Sequence, residues 1–220
     1  MLDRVKAPRR YDSRRRRAQA AQTREDVLAA AHDAFVERGY ARATLVSIAQ
    51  EAGVVVETIY RGFGSKARLF NAVVEAAVAG GAARAQVPVE DRPAIRAIAE
   101  ERDPRNQLER YAATQPGIHS RMSPLMHVLT EAAAADPQLA EVRREMEDGR
   151  LEGLGRFAQL LADRAVLRAG LTAEDARDIL WTLASHDVYD RLVTERHWPA
   201  ERYEAWLADT LVHSLLAGSA

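Results

Sequence analysis

Between Val55 and Lys66 the sequence reads VVETIYRGFGSK, and the chemistry these side chains offer is recognition, not bond-making. On a helix over residues 55–61, Val55, Glu57, Thr58 and Arg61 share the side facing away from Val56, Ile59 and Tyr60. A threonine hydroxyl there can bond a base or a phosphate. A valine suits a thymine methyl group, and a glutamate can accept from a cytosine amino group. Glu57 has a second use, pairing with Arg61 one turn on. Lys66 follows Ser65 at the start of the next helix, where its charge and the free backbone N–H groups both favour a phosphate. Arg42 and Thr44 stand just before the preceding helix. Thr44 is suited to cap that helix, to meet a phosphate, or to do both.

The elements that must position these residues are short. Leu45, Ile48, Ala49 and Ala52 recur at helical spacing. Gly53 is suited to a left-handed stop, and Val54 to packing in the turn. A helix, a glycine-containing turn and a second helix make a helix-turn-helix. Ala52, Gly53, Val54, Thr58, Ile59, Tyr60, Phe63, Ser65, Lys66, Leu69 and Phe70 stand at the spacing of a known signature, which this run resembles: that of TetR-type transcriptional regulators. Two positions depart from it. Val55 stands where the family often has serine, and Gly62 where it often has histidine or tyrosine. The resemblance implies an all-α chain, with an N-terminal three-helix DNA-binding domain and a C-terminal helical domain for ligand binding and dimerisation. It also implies that the Tyr60 hydroxyl meets the DNA backbone.

Composition bounds the alternatives. The chain has 220 residues and no cysteine, which removes disulfides and thiolate chemistry. No apolar run approaches the roughly 20 residues of a membrane span, and no hydrophobic segment follows the charged N-terminus, so a cytoplasmic protein is expected. Net charge is −1, but residues 1–80 carry fourteen Lys and Arg against nine Asp and Glu, and the remainder is acidic. A basic front on an acidic rear suits a DNA-binding head on a body that avoids phosphate. Arg4, Lys6, Arg9, Arg10 and the run Arg14–Arg17 read as a basic, flexible arm over residues 1–22, adding salt-dependent affinity with little sequence information. The head is expected over 23–80, with Thr23 capping its first helix and Val27, Leu28, Ala31, Ala34 and Phe35 as the apolar stripe.

Residues 81–220 read as helices throughout. Asp103-Pro104, Ser123-Pro124 and Asp136-Pro137 each read as a cap followed by a first-turn proline, and Pro116-Gly117 as a stop. The last 50 residues read as two amphipathic helices, the first capped by Thr172 and the second starting at Pro199. Pairing of such helices between two copies gives a homodimer, with Leu180, Leu183, Ala184, Val188, Trp206, Leu207 and Leu211 as the expected interface.

Enzymatic chemistry finds no support. The six histidines are scattered, with no metal-binding spacing, no glycine-rich phosphate loop and no nucleophile elbow, so no metal and no cofactor is expected. The resemblance implies a small-molecule effector held inside the helical body. Candidate side chains are Tyr111, His119, Met122, Met126, His127, Phe157 and Trp181. The expected function is a ligand-responsive regulator, a repressor whose homodimer binds a palindromic double-stranded operator. The alternative is a helical ligand-binding or scaffold protein whose head no longer reads DNA.

Overall fold

The computed structural model describes residues 10–217, and their side chains from residue 14 onward. The basic residues Arg4, Lys6 and Arg9 lie outside the described residues. No strand occurs among the described residues, and one isolated antiparallel bridge pairs Leu167 with Leu216. The chain divides into two compact units at Val73–Val74. That division falls inside a helix, ahead of the Gly80-Gly81 break, because the first half of the helix carries Leu69, Phe70 and Val73 into the core of the first unit.

The first unit opens with α1, Arg10–Arg42. Thr23 does not start it. Arginine, alanine and glutamine between residues 14 and 22 are strong helix formers, with no glycine or proline among them, so the helix begins earlier. Gly39 interrupts it at φ 73°, a conformation that costs glycine little. Phe35 and Tyr40 flank that break and stack at 5.7 Å, and Phe70 meets both edge-on at 5.1 and 5.9 Å. Around these rings the core is closed by Leu28, Ala31, Ile48, Ile59 and Leu69, all buried. Three further helices follow: α2 Leu45–Glu51, α3 Val56–Phe63 and α4 Lys66–Ala79.

In the second unit, α5 Ala82–Ala85 and α6 Pro93–Glu100 lead to two long helices, α7 Pro104–Ala133 and α8 Pro137–Asp163. Asp103 accepts from the Asn106 N–H at 2.9 Å, and Asp136 from Gln138 and Leu139, so both expected caps form. The third does not. α7 runs unbroken through Pro116, Gly117 and Ser123-Pro124. Each internal proline removes a backbone bond, at roughly 3 kcal/mol. Burial of Leu108, Ala112, Leu125, Met126, Val128 and Leu129 along the same helix outweighs that loss. The Ser123 hydroxyl turns instead to the Asp190 carboxylate.

The C-terminal part also differs from two continuous helices. α9 Ala173–Leu183 begins with a capping box between Thr172 and Asp175. It stops at Ala184 because Ser185 is extended and caps a new short helix, α10 His186–Tyr189. A π-helical stretch, Asp190–Glu195, follows before α11, Ala200–Leu215. Burial on α9 and α11 is mutual. Leu180, Ala184, Leu207, Leu211 and Leu215 join Leu108, Leu154 and Leu161 in one apolar core. Arg164 ties α6 to α7, donating to the carbonyls of Glu101 and Ala99 and to the Gln107 amide oxygen.

Inside this core sits His119, 2% exposed. Burial, then the positive charge of Arg150, then His186, hold its imidazole down at about 4. The unfolded chain takes up that proton near pH 6.5, whereas the folded chain does not until about pH 4. The unfolded state therefore binds more protons across this window, and stability must fall as pH drops through it. The contribution is at most about 3 kcal/mol. Urea melts between pH 7 and 4.5 are expected to show this loss in the native chain and a flatter profile in His119→Phe.

Candidate nucleic-acid interface

The first helix of the motif, α2, starts well fixed. The Thr44 side chain accepts from the Ser47 N–H at 3.1 Å, and the Ser47 hydroxyl oxygen accepts from the Thr44 N–H at 3.3 Å, a reciprocal capping box. Thr44 is thus a cap, and its exposed side leaves room for a phosphate as well. Gly53 follows at φ 66°, and the Val54 N–H bonds back to the Ala49 carbonyl at 2.9 Å. This is the tight turn read from the sequence.

α3 is eight residues long, and Ile59 is its one buried side chain. Val55 precedes it in an extended conformation with no side-chain cap, as the missing serine implied. The residues expected to face DNA are displayed together. Val55 is 64% exposed, Glu57 and Arg61 are exposed, and Thr58 is half-buried. No ion pair joins Glu57 to Arg61 among the described residues, so both heads are presented outward. Tyr60 is not on the buried side. It is 54% exposed, because Ile59 alone occupies the contact with the core. Its exposure fits a hydroxyl offered to the DNA backbone.

Gly64 ends the helix at φ 80°, and Ser65 then accepts from the Arg68 N–H at 3.2 Å. Lys66 opens α4 with its ammonium 4.1 Å from the centre of the Tyr40 ring. Arg42 is exposed and donates through Nε to the Arg38 carbonyl at 2.9 Å. Residues 14–17, all arginine, are exposed on the first turns of α1.

Two contacts escaped the sequence reading. Arg38 forks onto Glu51 at 2.8 and 3.0 Å, bracing α1 against α2. The Arg24 guanidinium lies 4.6 Å from the centre of the Phe63 ring, at the end of α3. Both partners are distant in sequence, so no local spacing marks them.

The body candidates separate. Tyr111 and Phe157 meet at 5.3 Å. His119 stacks on Tyr189 at 5.1 Å and meets Tyr203 edge-on at 6.4 Å. Met126 is buried, Met122 is half-buried, and the exposed His127 bonds the Asp190 carboxylate at 2.9 Å. Trp181 is 39% exposed under the Arg150 guanidinium. A groove of about 420 Å³ lies elsewhere, lined by residues that include Thr130, Ala133, Arg143 and Glu147, and by none of the seven candidates. Of the residues expected to join two copies, Leu180, Ala184, Leu207 and Leu211 are buried within the chain's own core, while Leu183, Val188 and Trp206 stay partly exposed.

The turn geometry yields a stability test. A Cβ at Gly53 meets no atom within 4 Å, so Gly53→Ala pays for backbone conformation alone. The expected loss is about 1–2 kcal/mol. Thr44→Ala, which removes the cap, is expected to cost about 1 kcal/mol. Urea denaturation of each variant and of the pair checks both values.

Comparison with known proteins agrees with this geometry. Residues 27–73 match the family model described as bacterial regulatory proteins, tetR family. Over 210 residues the chain is 27% identical to the HTH-type transcriptional repressor BepR of Brucella suis biovar 1, spanning 93% of this chain and 97% of that protein. It is 44% identical over 62 residues to the HTH-type transcriptional regulator TtgR of Pseudomonas putida, spanning 28% of this chain and 30% of that one. Among solved structures, NalD of Pseudomonas aeruginosa, the secondary repressor of the MexAB-OprM multidrug efflux pump, superposes with a TM-score of 0.70 at 21% identity, covering 90% of this chain and 98% of that one. The displayed face of α3, the capped turn before it and these likenesses together support a TetR-type, DNA-binding regulator: the head over residues 27–73 matches the tetR-family model, and the chain as a whole has the fold of the solved regulators.

Proposed function

We propose that the chain is a repressor whose homodimer holds a palindromic operator and lets go when a small molecule enters the helical body. The observation that carries this reading is the face of α3. Val55, Glu57, Tyr60 and Arg61 are exposed beside the half-buried Thr58, while Ile59 anchors the helix from behind. Tyr60, Lys66, Arg42 and the outer side of Thr44 serve phosphates. Val55, Thr58 and Glu57 reach base edges, and Arg61 is placed for either. The arginines at the front of α1 add charge that tracks the duplex backbone.

Two copies give the reading its specificity. Two recognition helices one helical turn of DNA apart read two half-sites, and a linked pair binds far more tightly than either head alone. Leu183, Val188, Trp206 and the exposed Trp181 supply the apolar surface for that pairing, since the fully buried members of the same helices are already used. An effector acts only if it binds the two arrangements of the dimer unequally. The working compartment is the cytoplasm, where the operator is.

The test is a fluorescence-anisotropy titration against the intergenic DNA beside the protein's own coding region, with excess non-specific competitor. Tight binding that falls steeply with salt, at two protomers per site, is expected. Tyr60→Ala and Lys66→Ala should each weaken binding to all sequences alike, and Lys66→Ala, which removes a charge, should also lower the salt slope by about one. Changes at Val55 or Thr58 should shift operator preference, by about 1–3 kcal/mol per base pair. Affinity no better than for competitor DNA, here and in a genome-wide selection of bound fragments, would favour the degenerate-head alternative.

A further inference from the structure

Three side chains in the body carry buried polar atoms without a hydrogen-bond partner among the described residues: Glu147, whose charge lies 3.9 Å from Arg150, and the neutral pair His119 and Tyr203. Neither ring nitrogen of His119 has a hydrogen-bond partner among the described residues, and the Tyr203 hydroxyl is in the same position. The Ala184 carbonyl lies near the imidazole but outside hydrogen-bond geometry, and it accepts from Arg150 at 3.0 Å. Tyr203 is fully buried on α11, and His119 nearly so on α7. A side chain that merely filled this space would be phenylalanine or leucine. Histidine and tyrosine impose a standing cost here, because an unpaired buried donor or acceptor has lost its water.

The surroundings define what could relieve that cost. Tyr189 lies 5.1 Å from both His119 and Tyr203, and Trp206 stands 6.1 Å from Tyr203. The site therefore accepts something flat. A neutral imidazole supplies one donor and one acceptor, and a phenol supplies either, so the partner must be able to do both. The nearby charges are already engaged. Arg150 donates to the carbonyls of Trp181 and Ala184 and lies 3.9 Å from Glu147. Asp190 accepts from Ser123, His127 and Thr194. His186 lies near the Asp187 carboxylate, at 3.4 Å. A cation would face Arg150 and His119, and an anion would give up its hydration for no free partner.

We propose that His119 and Tyr203 are the polar anchors of the effector site, and that the effector is an uncharged aromatic hydroxy compound whose ring takes the place of Tyr189 against His119. This rests on the ligand-released reading above and names the ligand class and the first movement. Tyr189 is followed directly by Asp190, which bonds Ser123 and His127, one and two turns beyond His119 on the same face of α7. Moving Tyr189 therefore pulls on both bonds. The residues that must give are the π-helical stretch Asp190–Glu195, a rare backbone form often found where a helix serves function.

The experiment uses the full chain and four probes of similar size: 4-ethylphenol, ethylbenzene, benzoate and phenyltrimethylammonium. Calorimetry should show 4-ethylphenol binding at least tenfold more tightly than the other three. In Tyr203→Phe and in the His119→Phe/Tyr203→Phe pair that advantage should vanish while ethylbenzene binding stays. Without ligand, Tyr203→Phe should melt at the same or a higher temperature. Equal binding of 4-ethylphenol and ethylbenzene, an advantage that survives in the double variant, or a melting temperature several degrees lower in Tyr203→Phe would each overturn the proposal. Operator binding measured on the same preparation separates the two readings. Sequence-specific DNA binding with no preference for the phenol sinks this inference alone. A phenol preference with no DNA binding above competitor sinks the regulator reading instead.

Discussion

The helix that carries the displayed face, α3, cannot hold itself. Eight residues are too few for a stable isolated helix, and α3 contributes one buried side chain, Ile59. Its position is set by its neighbours. The triangle of Phe35, Tyr40 and Phe70 fixes α1 against α4, with Gly39 bending the chain so that Tyr40 can return to the stack. The Arg38–Glu51 fork sets α2, and the capped turn from Thr44 to Gly53 fixes where α3 begins. An exposed face results because so little of α3 is needed for the core. The side chains not spent on burial stay on the surface.

The body meets a different constraint. Its long helices carry features that ordinarily end helices, and burial overrides them. Pro116 and Pro124 stay inside α7 because the helix packs along most of its length. The reverse occurs after α9. A single serine, Ser185, provides a cap at a point where the apolar stripe would have allowed the helix to continue, and the chain breaks there. Capping is worth about 1 kcal/mol, so it decides the path only where burial does not strongly favour either outcome.

That contrast explains how much was legible in the sequence. The head was readable because its signals are local: a threonine cap, a left-handed glycine and an apolar period within 28 residues, which also carry the family's signature. The all-helical body, the caps at Asp103, Asp136 and Thr172 and the start at Pro199 were readable for the same reason. Ser123-Pro124 has the same local grammar and yields no cap, since the tertiary environment, absent from any short window, decides it. Which apolar residues of the last helices stay exposed was also hidden. Leu180 and Leu207 carry the same stripe as Leu183 and Trp206, and only the packing of α9 on α11 separates the covered from the exposed.

The cluster around His119 was the least legible part, for a related reason. Its members come from α7, α10 and α11, so no periodicity brings them together. A histidine inside a helical stripe reads as core, and here it is core by burial. What sets it apart is the lack of any hydrogen-bond partner among the described residues, a property only three-dimensional packing can reveal. An apolar replacement would pack as well without the penalty, so stability alone does not explain these residues. A body built purely for rigidity has no use for a buried imidazole kept neutral beside two phenols. The proposed effector site does, because the cost stored in the unliganded state is released when a partner arrives.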